Sequence, residues 1–351
     1  MADLSLINPD RQSRLLASAQ RFVPALVLVV ALVGILAYAQ SAGDTFLIRV
    51  FTRIMIFGIV AVALNFVLGF GGMVSLMHAS FIGVGGYVVA ILAYHDANLE
   101  PLMIGPFAFT GTSDLAILLP LAIVVTVPFA ALTGLISLRT SGTYFIMITL
   151  AFNQMAYYFF VALQAYGGED GLQIINPITF GGLDLSQRST FYLFTLSVLA
   201  LTLVLVTLLV DSKFGIVLRA AAQNERRLSA IGIAPLRYKL LAFVISGTLT
   251  GMAGALLATG QQFISPADMS WSRSGELVVM VVMGGLGSVS GPLVGAAVYL
   301  GLELILESWT EYWHLAFGLL IVAMVTLLRG GIADLGTLVP WLGRNVSGGK
   351  N

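Results

Sequence analysis

The 351-residue sequence contains no cysteine, which excludes disulfides, thiol nucleophiles and cysteinate metal sites. Charge is scarce as well. Lys, Arg, Asp and Glu make up 10% of the chain, against about a quarter in a soluble domain. The three histidines, His78, His95 and His314, are scattered and offer no metal-ligand spacing. No GxxxxGK[ST] phosphate loop occurs, so the chain does not bind ATP through that motif. Net charge is zero, and only the distribution of charge speaks about partners.

What replaces charge is apolar length. Hydrophobic residues make up 58% of the chain. Several runs of about twenty residues carry hardly a charge, enough for a helix to cross a hydrocarbon core roughly 30 Å thick. Barrel strands would alternate apolar and polar residues over about ten positions, and these runs do not. The sequence therefore predicts an all-α polytopic bundle. Candidate spans cover residues 22–39, 54–69, 74–94, 116–137, 143–163, 190–210, 240–260, 276–290, 292–306 and 314–328, nine or ten crossings. Segment 54–69 and the pair meeting near 284–292 are short for an upright crossing, which predicts burial among other helices. Residues 1–21 read as a polar cytoplasmic segment before an uncleaved first span. Residues 22–328 form the membrane domain, with a loop at 211–239, and 329–351 a cytoplasmic tail.

With the N-terminus inside, thirteen of the seventeen Lys/Arg fall on the cytoplasmic side of these spans, the side that basic residues favour. The four left outside are Arg49, Arg53, Arg188 and Arg273. Loops 95–115 and 164–189 then face out, rich in acids. Both termini are expected inside.

The one long charged stretch, 211–239, holds six of the seventeen basic residues against two acids. Within 213–232, Leu218, Ala221, Ala222, Glu225, Leu228 and Gly232 recur at helical spacing, while Arg219, Gln223, Arg226 and Arg227 lie elsewhere on the wheel. Ser212 is a candidate cap, and Gly232 with Pro235 ends the helix. This predicts a short amphipathic helix along the cytoplasmic face, with an alanine patch that another backbone could approach. The plain alternative is that its basic residues only anchor the loop to anionic lipid.

The order GIVLRAAAQNERRLSAIGI resembles the coupling segment of importer permeases of the ATP-binding-cassette (ABC) class. Further pieces are NFVLGFGGMVSLMHASFIGVGGYVVA (65–90), SGTYFIMITLAF (141–152), YKLLAFVISGTLTGMAGALLA (238–258) and SGELVVMVVMGGLGSVSGPLVGA (274–296). Together they resemble the branched-chain amino-acid ABC transporter permeases, in particular the second of their two membrane subunits. The resemblance spans residues 65–296. It implies a permease subunit in a bacterial inner (plasma) membrane, working by alternating access on a small amino-acid-like solute, branched-chain amino acids first. It implies a homologous permease, two cytosolic ATP-binding subunits and a periplasmic solute-binding protein as partners in the lipid bilayer, with no nucleic acid. ATP and Mg2+ would sit in the ATPase partner, no cofactor in this chain, and no catalytic residue. The ATPase-coupling residues would be Leu218, Arg219, Ala221, Ala222, Asn224, Glu225 and Gly232. The family usually reads G-Y-A-G-Q-x-S-L-G-H-A near the first piece, whereas Gly72 stands here where Gln is common and Met77 where Gly is common. A turn that touched the solute would then select a different one.

Gly69, Gly71 and Gly72 separate two apolar runs, and Gly284, Gly285, Gly287 and Gly291-Pro292 separate two more. Glycine permits positive φ and close helix approach, which makes Gly71, Gly72, Gly284, Gly285 and Gly287 candidate gate or packing positions. The like placement of the two clusters hints at an internal repeat. Polar side chains inside apolar spans need a partner or a wet path. Ser75, His78, Ser80, Tyr144, Thr149 and Asn153 are the candidates for the translocation path, with Asn65, Gln154, Ser246 and Thr250 as further polar residues. Their plain alternative is hydrogen bonding between helices. No intramembrane acid pair or basic ladder suggests an ion relay. A self-sufficient secondary transporter of a neutral or zwitterionic solute, the main alternative, would need an ion site. A membrane enzyme would need a clustered acid, base or metal set.

Overall fold

Apolar length and short polar caps decide where the helices run. The computed structural model describes residues 9–309 except 100, 105 and 106, together with 315, 317–320 and 322. In order come α1 (Pro9–Ala42), α2 (Thr45–Asn65) continued by a π-helical turn (Phe66–Phe70), α3 (His78–Asn98), α4 (Leu115–Ser137), α5 (Thr143–Ala162) and α6 (Arg188–Asp211). Then follow α7 (Lys213–Gln223), α8 (Glu225–Ala230), α9 (Pro235–Gln261), α10 (Trp271–Gly284) and α11 (Gly291–Trp309). Among the described residues eight helices are long and apolar enough to cross a membrane: α1 to α6, α9 and α11. The protein is an all-α polytopic membrane protein. The span expected at 276–290 is instead α10, 14 residues long and about 21 Å at 1.5 Å per residue, too short to cross. The tenth expected span, 314–328, lies mostly outside the described residues.

Helix starts at the ends of the bundle are fixed by side-chain acceptors for the free first-turn amides. Asp44 accepts from the Phe46 and Leu47 amides at 2.9 and 3.2 Å, and Asp114 from Ala116 at 2.9 Å. At the end remote from α7, Asp96 ties the loops together, accepting from Ser113 Oγ at 2.5 Å and Asn176 Nδ2 at 3.0 Å. There too Leu172–Gln173 pairs antiparallel with Phe263–Ile264. Burial, and then the neighbouring Tyr94, raise the Tyr166 phenol above its ordinary range; its oxygen lies 3.0 Å from His95 Nε2.

The core is α2, α3 and α9. From Ile54 on, α2 is buried, and α3 and α9 close on each other through glycines. A Cβ at Gly85 would collide with the Gly251 carbonyl, and one at Gly254 with the Ile82 carbonyl. Small residues let membrane helices gain dispersion contact that bulkier ones forbid. Helices α1, α4 and α6 are peripheral and carry exposed apolar side chains such as Leu26, Val124 and Leu201.

Two stretches interrupt the helical pattern: residues 71–77 ahead of α3, and residues 262–270 ahead of α10. Helix α3 begins part-way up the bundle, because His78 meets Ser246, the twelfth residue of α9. The start of α10 is equally deep. The Met269 carbonyl is held by Asn153, the eleventh of the twenty residues of α5.

Gly85→Val is expected to lower the stability of the detergent-extracted protein by roughly 1–3 kcal/mol or more. Gly34→Val, where a Cβ meets nothing within 4 Å, is expected to leave the melting curve in place. Equal curves for the two variants would refute the glycine contact.

Candidate translocation core and coupling surface

Non-helical backbone inside a membrane bundle is tolerated only where side chains satisfy it, and here a small set does so. Ser80 N–H and O–H donate to Asn153 Oδ1 at 3.1 and 2.5 Å. Asn153 Nδ2 donates to the Met269 carbonyl at 2.9 Å. The Ala79 amide donates to Ser274 Oγ at 3.3 Å, and Ser274 turns its own hydroxyl to Asn153 Oδ1 at 3.5 Å. The first turns of α3 and α10 thus meet around one carboxamide from α5. One turn lower, the Leu76 amide donates to Thr149 Oγ1 at 3.2 Å, and the Met77 amide to Ser75 Oγ at 3.3 Å.

His78 extends the network to α9 and α2. Its Nε2 lies 2.8 Å from Ser246 Oγ, and the Ser246 hydroxyl donates to the Ala63 carbonyl at 2.5 Å. The serine proton is committed, so His78 Nε2 is the donor and carries the ring proton. Its Nδ1 is then a bare acceptor, buried without a partner, between the edges of Phe81 and Phe243. Asn65 joins the second glycine cluster to α2. It donates through Nδ2 to the Ser288 carbonyl at 2.7 Å and accepts from the Gly287 amide at 3.4 Å.

The charged loop is built on the underside of this network. Instead of one helix over 213–232 it forms two, because Asn224 adopts an extended conformation (φ −161, ψ 100) and caps α8 by accepting from the Arg227 amide at 3.1 Å. Ser212 caps α7 through the Gly215 amide. Gly232, at φ +84, ends α8, while Pro235 opens α9 at its first position. Leu218, Ala221 and Leu228 are buried against the membrane domain. Arg219 is half-buried, and Ala222, Asn224, Glu225 and Gly232 are exposed. The alanine patch is therefore split: Ala221 faces inward, and Ala222 sits over Gly72, where an added Cβ would lie 3.0 Å from the Ala222 methyl. Phe214 stacks on Phe66 of the π turn at 6.2 Å and tilts against Tyr238 at 5.7 Å. Glu225 pairs with Lys239. The outward face presents Arg226, Arg227 and Ile231, the last 72% exposed.

Sequence comparison decides the family. The profile of the branched-chain amino acid transport system permease component family matches residues 46–325. The chain belongs to that family. It is 27% identical over 308 residues to the high-affinity branched-chain amino acid transport system permease protein LivM of Salmonella typhimurium, covering 81% of this chain and 69% of the relative. Identity to the protein of the same name from Escherichia coli is 28% over the same length and coverage. A probable branched-chain amino acid transport permease protein LivH of Methanocaldococcus jannaschii is 29% identical over 292 residues, 71% of this chain and 86% of the relative. No solved structure matches the chain.

In this permease component, five of the six residues expected along a path (Ser75, His78, Ser80, Thr149 and Asn153) converge, and all are fully buried. They bind helices to one another and line no open channel in this conformation. Tyr144 is separate, 73% exposed near the start of α5. Of the glycines, Gly72, Gly285 and Gly287 have positive φ. Gly71 and Gly284 do not; a Cβ on Gly284 would strike the Gly291 carbonyl, a packing constraint. The residues missed by sequence reasoning are Ser274 and Ser288. The signal for Ser274 was the pair of caps ahead of α10, Ser265 and Ser270, which accept from Ala267 and Arg273 at 3.0 and 3.2 Å.

Asn153→Leu strands the Ser80 hydroxyl and the Met269 carbonyl in a dry site, each worth about 1–3 kcal/mol when orphaned. A clear fall in the melting temperature of the purified permease is expected, with Tyr144→Phe unchanged as the exposed control. Melting of Asn153→Leu within a degree of wild type would remove Asn153 from its bridging role.

Proposed function

We propose that this permease component forms half of the membrane path of an ABC importer in a bacterial inner membrane. Its solute is a small amino-acid-like molecule, with branched-chain amino acids, named in all three relatives, as the first class to test. A homologous permease supplies the other half of the path. Two cytosolic ATPases bind the α7–α8 surfaces of the pair and hydrolyse ATP with Mg2+. A periplasmic binding protein hands solute to the opposite end.

The observation that carries this reading is the two-sided α7–α8 unit. One side is buried through Leu218, Ala221 and Leu228; the other leaves Arg226, Arg227 and Ile231 exposed. Exposed basic and apolar side chains on a fixed short helix suit a protein partner better than lipid alone. Movement of that partner would pass through Ala222 to Gly72 and through Phe214 to the π turn, and so to the backbone breaks around Asn153. The path itself fits the outward face of α5. Only Phe145, Thr149, Asn153 and Ala156 of that helix are buried, while Met147, Met155 and Tyr158 are left exposed for a second permease to close over. Alternating access would rock these elements as bodies.

Arg227→Ala/Ile231→Asp alters only exposed side chains, so the tagged variant is expected to insert, keep the second permease and lose the ATPase on purification in mild detergent. Uptake is expected to fall by at least about tenfold, the equivalent of 1.4 kcal/mol. Retention of the ATPase at wild-type level would refute the docking surface. A wild-type protein that purifies alone and transports on an ion gradient would turn the reading to a secondary transporter.

A further inference from the structure

Three of the four arginines that break the basic-inside bias gather at one place. Arg49 and Arg53 on the first turns of α2, and Arg188 at the start of α6, line a cavity of about 490 Å3 at the end of the bundle opposite α7. The C-terminal end of α9 closes its third side. No acidic side chain lines it. Glu303 engages Arg53 at 3.3 Å, but Arg53 Nε is buried with no hydrogen-bond partner. Arg49 and Arg188 are exposed and make no ion pair among the described residues. The rest of the lining is mixed: Thr52, Ser186, Gln261 and Gln262 stand beside the buried side chains of Ile56, Phe191 and Leu257.

Three like charges around one cavity repel, and a buried guanidinium donor without an acceptor is costly. An anion resolves both, because guanidinium groups present several parallel donors to phosphate oxygens. The cavity opens among the ends of α2, α6 and α9, three helices long and apolar enough to cross a membrane, which puts the cations at the level where phospholipid headgroups lie. We propose that this cavity is a binding site for the phosphate headgroup of an anionic phospholipid of the outer leaflet, held by Arg49, Arg53 and Arg188. The assignment to a leaflet rests on the orientation given above; the binding itself does not depend on the transport reading.

The test uses the full-length permease, delipidated in detergent, with phosphatidylglycerol as probe. Phosphatidylglycerol is expected to raise the apparent melting temperature by a few degrees through ligand linkage, while phosphatidylcholine and inorganic phosphate leave it unmoved. The shift is expected to vanish in Arg49→Ala/Arg188→Ala, both exposed sites, and to persist in Arg226→Ala/Arg227→Ala, which removes the same charge from the opposite end. Native mass spectrometry should find one phosphatidylglycerol retained on wild type and lost from the Arg49/Arg188 variant, a readout independent of the variant's own melting point. A shift that survives in that variant, or that phosphatidylcholine reproduces, overturns the site. An equal shift from inorganic phosphate assigns the cavity to a free anion and overturns the lipid reading.

Discussion

Backbone amides and carbonyls without helical partners must find others in a place without water, and that demand organises this membrane domain. Two stretches of chain, 71–77 and 262–270, leave the helical pattern within the bundle. Each unpaired group there would cost several kcal/mol in hydrocarbon. The chain answers with short polar side chains from other helices. Asn153 reaches Ser80 and Met269, Thr149 reaches Leu76, and Ser274 reaches Ala79. Because donor and acceptor in each pair come from different parts of the chain, satisfying the breaks also fixes the register of α3, α5 and α10. Around this, the glycine contacts of α3 with α9 supply dispersion but no directional choice. The polar set chooses the arrangement; the small residues let it close.

The same geometry gives the charged loop a direct connection to the interior. Helix α7 touches the membrane domain where the backbone is least regular, at Gly72 and at the π turn carrying Phe66. A regular helix transmits a push along its axis, with each turn locked by its own hydrogen bonds. A segment held by side-chain bonds at roughly 3 Å can exchange those bonds for others without unwinding a helix. Placing α7 against the 71–77 segment therefore puts the charged loop beside the part of the core that can rearrange at low cost. The glycine turn at 285–290, clasped by Asn65, would follow the same displacement.

Much of this architecture was legible in the sequence because hydrocarbon length acts locally. Eight of the ten expected spans, the cap at Ser212 and the amphipathic character of the loop all follow from residues close in the chain. Three features did not. Helix α10 starts at Trp271 because the Ser270 cap fixes it there, so a hydropathy window that saw 276–290 placed the helix too late and made it a crossing. The loop helix breaks at Asn224 because its side chain caps α8 more favourably than continuing α7 would allow, a competition that wheel periodicity cannot weigh. The buried polar residues were recognisable as exceptional, but their partners lie far away. Ser80 and Asn153 are 73 positions apart, and His78 and Ser246 are 168 apart, so only the packed fold says which pairs form.

His78 shows what the pairing adds. An imidazole among apolar rings would be read from sequence as a path residue or a water-facing one. The serine between it and the Ala63 carbonyl has one proton to give, and it gives it to the carbonyl. That leaves the ring as donor at Nε2 and leaves Nδ1 bare. A proton on Nδ1 would put an unpaired cation against Phe81 and Phe243, in a place with no counter-ion within the network. The ring is therefore held neutral, joining α3 to α9 as a hydrogen-bond spacer. Any rearrangement that opened the α3–α9 contact would have to offer Nδ1 a donor. Water entering from the 71–77 side would do that at once, which makes this ring easier to hydrate than Asn153, whose oxygen and nitrogen both have partners.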